Sequence, residues 1–485
     1  MPAGCELLDK KPESGYLACF GFFLGAYTKI MNLFRKGCLS VALLAMLSGC
    51  ATNSMFVSYP SQAEKWKATL GNEAASAGTT QKLEKATAGG DGVLYLQELG
   101  RVTQLNGEGE ASRNAFADVV SKYDAEDASA KIQVSSLAAS GTSLITNDNA
   151  RPYVAPDYER IFTRAYQALN YWAENDVTGT AVELRAAALE QRVSANKREK
   201  EIAKAEEEAE ENDVDVSQFD GYFQGIDAVA GGVKASFQNA WTFYLSALFW
   251  EAHGEYNDAL VDYKKALEIN SGVDMIKEDV ERVSNPRALR DSDEGMVAVL
   301  YEQGFVQPRE EFTLPIPTVH GVFSVAFPTY AIGSKPRPNS LRVLDSASQP
   351  LGETVVLADV GGLAAKDLKE RMPGMLVRQT LRATAKYNMQ KQANDNFGLL
   401  GSLSTQIYNL VSEQADRRSW LTLPAYAQAT RFHLPQGEHA LVLSTPAGNR
   451  TLTVPVVRRG LTVIHAVAVP GQLITRVLPV QEGPL

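Results

Sequence analysis

AWTFYLSALFWEAHGEYNDALVDYKKALEINSGV, residues 240–273, sets the reading of the whole chain. Apolar and small residues recur at three- and four-residue spacing on both sides of His253-Gly254-Glu255, which predicts two helices joined by a tight turn. Phe243, Ala247 and Trp250 alternate large and small along the first helix, and Gly254 and Tyr256 fall in the turn. Ala259, Tyr263 and Ala266 repeat the alternation along the second. Antiparallel helices approach closely only where small residues face large ones, so these eight residues are the expected packing contacts. Thr242, Tyr244, Leu248 and Glu251 lie between the packed positions of the first helix and are the expected partner-binding face.

This unit resembles a tetratricopeptide (TPR) repeat, with Ser246 and Ser271 where Leu and Pro are usual. The resemblance implies an array whose first helices line a concave surface for extended peptides. Two weaker copies lie upstream, one at Leu99, Gly100, Ser112 and Phe116, the other at Trp172, Ala181, Ala188 and Leu189. The helical pattern runs from Gln62 to about Val283, and between Ser61 and Asn285 only Pro152 and Pro156 interrupt it. Residues 190–213 are charged nearly all round, which predicts a solvated helix or arm. Gly231 and Gly232 precede Lys234 and Ser236 without phosphate-loop spacing, and are expected to cap a helix.

After Asn285 the texture changes, and a domain boundary is expected near residue 286. Pro286, Pro308, Pro315, Pro317, Pro328, Pro336 and Pro338 punctuate strand-like runs at Met296–Tyr301, Val322–Phe327, Leu341–Leu344 and Glu353–Leu357. A helical insert at about 360–415 comprises Leu363–Glu370, Met375–Gln392 and Leu399–Glu413, with Pro373 near a helix start. Strands then return at Thr430–Leu434, His439–Ser444, Thr451–Val457 and Leu461–Val469, joined by turns at Pro435-Gln436-Gly437, Pro446-Ala447-Gly448-Asn449 and Arg458-Arg459-Gly460. The expected fold class is therefore α+β and multidomain: a TPR-like helical domain at 62–285, then a β-rich domain at 286–485 with a β-sandwich-like sheet and the helical insert. Leu434 to Leu443 resembles the texture of PEGA-type or transthyretin-like modules, which implies binding or spacing.

The N-terminal fifty residues carry an address. From Met31 the chain reads MNLFRKGCLSVALLAMLSGC: Arg35 and Lys36, an apolar run from Cys38 to Met46, then Leu47-Ser48-Gly49 before Cys50. That is a secretory signal at 31–49. Its ending resembles the lipobox of bacterial lipoproteins, which implies cleavage before Cys50 and lipidation of its thiol. Ala51 in place of Asp implies outer-membrane sorting, and 50–61 is expected to be a tether. Residues 1–30 place a second apolar run ahead of a complete signal, so Met31 is the expected start and 1–30 an upstream extension.

Composition narrows the function classes. The 485 residues carry 47 Lys+Arg against 57 Asp+Glu, a net charge of −10 with no basic block, which argues against a nucleic-acid surface. All four cysteines, Cys5, Cys19, Cys38 and Cys50, precede residue 51, so no disulfide framework is expected downstream. No HExxH, G-x-S-x-G or S-x-x-K set is present, and neither catalytic residues nor a cofactor is expected. Of the five histidines, His433 and His439 flank the Pro-Gln-Gly turn; with no third ligand at a recognisable spacing, no metal site is expected.

Three blocks, GEYNDALVDYKKAL, GMVAVLYEQGFVQPREE (Gly295–Glu311) and RRSWLTLPAYAQATRFHLPQGEH (Arg417–His439), together with the lipobox, resemble a family of uncharacterised proteobacterial TPR-like lipoproteins. That resemblance implies a lipid-anchored protein on the periplasmic face of the outer membrane, near peptidoglycan. The expected role is a non-enzymatic scaffold for an envelope protein partner. A regulator of a cell-wall synthase, as in lipoproteins that activate penicillin-binding proteins, and a glycan-processing enzyme are the alternatives.

Overall fold

In the computed structural model the described residues are 58–133, 151–212, 214–215, 217–285, 293–318, 321–412, 414–446 and 448–480. The upstream extension, the signal with Leu47, Ser48 and Gly49, and the lipidation residue Cys50 lie outside them, as does the expected boundary at Pro286. Among the described residues the chain is mixed α+β, with helices to residue 284 and mainly strands after 293.

The helical part comprises α1 (Tyr59–Lys67), α2 (Glu73–Ala86), α3 (Gly92–Leu105), α4 (Gly109–Gln133), α5 (Asp157–Ala173), α6 (Val177–Glu211), α7 (Gln224–Ala230), α8 (Ala240–Ala252), α9 (Tyr256–Ile269) and α10 (Asp274–Ser284). Local chemistry sets the starts: Asp176 Oδ1 accepts from Gly179 N–H at 2.8 Å to cap α6, and Asn239 Oδ1 accepts from Thr242 N–H at 3.0 Å to cap α8. Gly231, at φ +54°, ends α7 as the glycine pair implied. All three sequence-matched segments form helix pairs joined by short turns: α3 with α4, α5 with α6, and α8 with α9. At the first, Phe116 lies on Gly100 and Ser112 Oγ donates to the Gly100 carbonyl at 2.7 Å. At the third, Phe243, Ala247, Trp250, Ala259, Tyr263 and Ala266 are buried, and Gly254 takes φ +74° in the turn.

Three sheets follow. The largest has the order β11 (Gln472–Val477), β10 (Leu461–Val469), β1 (Glu294–Gln303), β7 (Tyr426–Pro435), β6 (Val355–Asp359), with β1 and β10 parallel and the other pairs antiparallel. A second has the order β5 (Pro350–Glu353), β4 (Arg342–Leu344), β8 (Gly437–Thr445), β9 (Gly448–Val456), and β2 (Glu310–Thr318) pairs with β3 (Gly321–Thr329) alone. Strand parity sends Val297, Val299 and Tyr301 of β1 into a core shared with Val343, Leu441, Leu443, Val454 and Val456 of the second sheet. The alternate residues Met296, Ala298 and Leu300 enter the core that also holds the helices.

Several expectations need correction. Residue 286 separates secondary-structure types but not cores, because Trp241, Phe249, Leu300 and Val463 belong to one apolar cluster. The Pro-Gln-Gly segment is not a hairpin turn: β7 and β8 pair in different sheets, so the chain crosses between sheets there. The expected insert is one helix, α11 (Val360–Ser412), with Pro373 inside it rather than at a start. The charged stretch 190–213 is not wholly solvated. Arg198 is buried against Asp157 (3.1 Å), Asp367 (2.8 Å) and Glu370 (3.3 Å), tying α6 to α5 and α11. The expected tether is shortened, because helix begins at Tyr59, whose buried hydroxyl donates to Glu98 at 2.5 Å.

An irregular stretch, residues 414–425, runs between helices and sheet. Glu98 Oε1 accepts from Leu421 N–H at 2.9 Å and its Oε2 from the Thr422 hydroxyl at 2.5 Å; Glu159 Oε1 accepts from Trp420 N–H at 2.9 Å. Glu159 also accepts from the Tyr153 and Tyr158 hydroxyls. Burial pushes its carboxyl up to about 7 despite these donors.

Two consequences are measurable. A Cβ on Gly100 would stand 2.7 Å from the Phe116 ring, so Gly100→Ala should cost about 1–3 kcal/mol in thermal or denaturant unfolding. Folded Glu159 keeps its proton up to about pH 7 whereas the unfolded residue releases it near its ordinary 4.5. Its contribution, about 3 kcal/mol, is therefore full below pH 4.5 and lost as pH rises through 7. Asp262 and Asp279, each pushed up to about 6 by burial, act in the same direction. Tm should be lower at pH 8 than at pH 5, and Glu159→Gln should narrow that difference.

Candidate functional site

Helix α8 does not offer the surface expected of it. Thr242, Tyr244, Leu248 and Glu251 are 2%, 0%, 0% and 8% exposed, because α9, α10, β6 and β7 enclose the face that a peptide would occupy. The polar groups of Tyr244 and Glu251 are also committed. Tyr244 Oη donates to Asp279 Oδ2 at 2.9 Å, and Asp279 Oδ1 accepts from Arg431 Nε of β7 at 2.8 Å. Glu251 accepts from the Tyr263 hydroxyl at 2.8 Å and pairs with Arg282. Phe162 stacks on Trp241, and Trp172 meets Phe249 edge-on, so the preceding helix pair closes the remaining side.

Polar groups converge instead where the helices meet the large sheet. On β1 the helix-facing parity that carries Met296, Ala298 and Leu300 places Glu302 next, fully buried. Arg101 of α3 forms an ion pair with Glu302 Oε2, and its guanidinium lies 4.1 Å from the Tyr166 ring centroid. The Tyr166 hydroxyl donates to the same oxygen at 3.0 Å. Glu302 Oε1 lies 2.6 Å from Nε2 of His465 on β10. Burial pushes the Glu302 carboxyl up, but Arg101, His465 and Tyr166 outweigh it and hold the group below the usual range. Glu302 is thus held from three elements at once: by a guanidinium on α3, a hydroxyl on α5 and a ring nitrogen on β10.

His465 forms part of the wall of a partly open cleft of about 170 Å³. Register on β10 and β11 sets Arg476 opposite His465 and Ile474 opposite Val467. The rest of the wall comes from the end of α3 and its following loop, Gln104 to Gly107, and from Leu169, Thr475 and Leu478. Gln104 is satisfied: its amide donates to the Tyr166 carbonyl and to Asn170, and its oxygen accepts from Arg101. Asn106 is not, since Oδ1 accepts from Gly71 N–H at 3.3 Å while the buried Nδ2 has no partner among the described residues.

No acidic residue lines the cleft, so the carboxylate pair of a glycosidase mechanism has no place in it. Among the described residues no three His, Cys, Asp or Glu side chains gather as a metal site would require, and no helix is long and apolar enough to cross a membrane. His433 is on β7; His439, on β8, has Nε2 2.7 Å from the Pro435 carbonyl oxygen.

Sequence reasoning did not single out Arg101, Asn106, Glu302, His465 or Arg476. A signal existed for two of them. Glu302 ends the apolar run GMVAVLY at its inward parity, and His465 interrupts LTVIHAVAV, where an ionisable residue must be paired. The chain matches no protein-family model, no curated protein and no solved structure.

Removing one partner of the Arg101–Glu302 pair leaves the other charge buried and alone. Glu302→Leu should cost about 3–5 kcal/mol, whereas Arg101→Leu with Glu302→Leu should recover much of that loss in the same unfolding experiment.

Proposed function

We propose that this chain is a lipid-anchored envelope protein, held by Cys50 on the periplasmic face of the outer membrane, that serves as a scaffold for an envelope protein partner. One observation carries the reading: the charged, apolar and Leu47-Ser48-Gly49-Cys50 segments in signal order, followed within nine residues by a side chain, Tyr59, that belongs to the folded core. Nine residues span at most about 32 Å when fully extended, so an acylated Cys50 would keep the helical part close to the bilayer. Anchoring at one end raises the effective concentration of the rest of the molecule for a partner in the same layer.

The helix pairs α3–α4, α5–α6 and α8–α9 support a degenerate TPR-like reading of the helical part, and the core shared by the two larger sheets supports a sandwich-like reading of the strands. With the face of α8 enclosed, contact with a protein partner falls to other surfaces. Val182, Leu189 and Val193 of α6, 56%, 47% and 49% exposed and spaced by seven and four residues, are the apolar positions at which to place photocrosslinkers.

The test is the anchor itself. Wild-type chain should incorporate labelled palmitate and fractionate with outer membranes, while Cys50→Ser should lose the label and the fractionation. Unchanged membrane partition of Cys50→Ser would overturn the proposal.

A further inference from the structure

Four of the nine large apolar side chains that stand exposed among the described residues lie on one helix, α6: Val177, Val182, Leu189 and Val193. That exposure is concentrated, and the last three follow one line. With half-buried Ala186 and exposed Asn196 they run 182, 186, 189, 193, 196, a 4-3-4-3 spacing. Such a spacing averages about 3.5 residues, the repeat of a two-stranded coiled coil rather than the wider stripe by which a helix joins a core. The core side of α6 is a separate one: Leu184, Ala187, Gln191, Ser194 and Arg198 are buried, and the helix packs on α5, α8 and α11. Val261 of α9, also exposed, widens the outer surface. It lies one turn from Asp258, which approaches Arg185 at the edge of the stripe to 3.9 Å.

Residue types restrict the occupant. In heptad terms Val182, Leu189 and Asn196 take position d, and Ala186 and Val193 position a. A β-branched residue at a with Leu at d favours a parallel two-stranded pair, and Leu189 and Val193 supply that combination at the middle of the stripe. In a parallel pair of identical helices each core residue meets its own copy, and two Asn196 amides satisfy one another as donor and acceptor. The flanking charges select the same orientation. Each g residue then faces the e residue five positions further along the other helix: Arg185 faces Glu190 and Glu199 faces Lys204, opposite in sign both times. Glu190 also takes Arg160 of its own chain at 3.3 Å. Between these pairs Arg192 faces Lys197, but Lys197 is drawn to Asp157 (3.4 Å) and Glu201 (3.9 Å) of its own chain. An antiparallel pair that overlaps the same apolar residues sets Arg185 against Arg192 and Glu183 against Glu190, like charges on both flanks. Lys200 and Glu207 occupy the next two a positions, so the apolar contact ends at Asn196 after about 21 Å.

We propose that the outer stripe of α6 is covered by a second copy of this chain: two α6 helices meet in parallel along Val182–Asn196, with the two-fold axis running between them. Photocrosslinkers placed on the stripe then capture the same chain. The inference goes beyond the scaffold reading and does not depend on lipid anchoring.

Cysteine crosslinking of the full-length chain tests it. Cys5, Cys19, Cys38 and Cys50 all precede residue 51, so with these four replaced by serine a single introduced cysteine reports one contact. Val182→Cys and Val193→Cys should each give a disulfide-linked dimer on mild oxidation, whereas Val154→Cys, exposed but off the helix, should stay monomeric. An antiparallel pair holds the two Val182 positions about 16 Å apart, beyond disulfide reach, and links Val182→Cys only to Val193→Cys in a mixture. Before oxidation, sedimentation equilibrium at about 100 μM should give twice the chain mass. Leu189→Glu should give the single-chain mass with Tm unchanged, because the side chain it replaces is half exposed. Single-chain mass for the cysteine-free chain, linkage in the mixture alone, linkage of Val154→Cys as efficient as that of Val182→Cys, or an undiminished dimer in Leu189→Glu would overturn the proposal.

Discussion

Two buried carboxylates join the halves of this protein. Glu98 of α3 and Glu159 of α5 reach into residues 414–425 and take the backbone N–H groups of Leu421 and Trp420, which no helix or strand satisfies. Residues 418–425 are buried, so those donors would otherwise be left without water or partner, at about 1–3 kcal/mol each. Other groups finish the accounting. Arg309 donates to the Arg418 carbonyl, Val306 N–H to Leu423, Ala425 N–H to Gln303, and Arg418 itself pairs with Asp91 at 2.5 Å. A segment with no regular structure thereby becomes the seam along which helices and sheet share one core.

The large sheet can then be covered on both faces. Its central strand β1 is a nearly continuous apolar run because one parity meets the helices and the other the second sheet, as a doubly covered strand requires. Glu302 is the exception, and it is tolerated because Arg101, Tyr166 and His465 arrive from α3, α5 and β10 to satisfy it. A buried ion pair adds little net stability over an apolar pair, but it is intolerant of misplacement: any shift of α3 against β1 strands two charges. The pair thus acts as a register pin between the layers.

What the sequence made legible follows from which forces are local. Helix periodicity, the Gly254 turn and the large-to-small alternation of residues 240–273 are encoded within a few turns, and the structure pairs those helices through the residues named. The burial of Tyr244 and Glu251 depends on Asp279 and Arg431, the latter far away in sequence on β7, and no local pattern reports that. The same holds for the strands. β8 and its neighbours alternate as a hairpin would, yet β7 and β8 lie in different sheets, and pairing partners are a non-local choice. Strand β2 was hidden by Pro315 and Pro317, which a two-stranded ribbon open on its outer side accommodates. Pro373 misled in the opposite sense, as a start signal inside a helix that tertiary packing against α6 and α7 sustains.

The cleft was illegible for a geometric reason that also accounts for its chemistry. It opens where three elements run out together: α3 ends at Leu105, β11 is the last strand of its sheet, and Leu169 lies near the end of α5. Layers cover one another where elements are long; at a corner, coverage fails and side chains must finish the surface. At this corner the chain sets Arg476 beside His465, whose Nε2 is held by a carboxylate that is itself pinned by Arg101. The interaction that keeps helix and sheet in register is therefore also the one that orients His465 in the cleft wall, so this corner inherits its rigidity from the core.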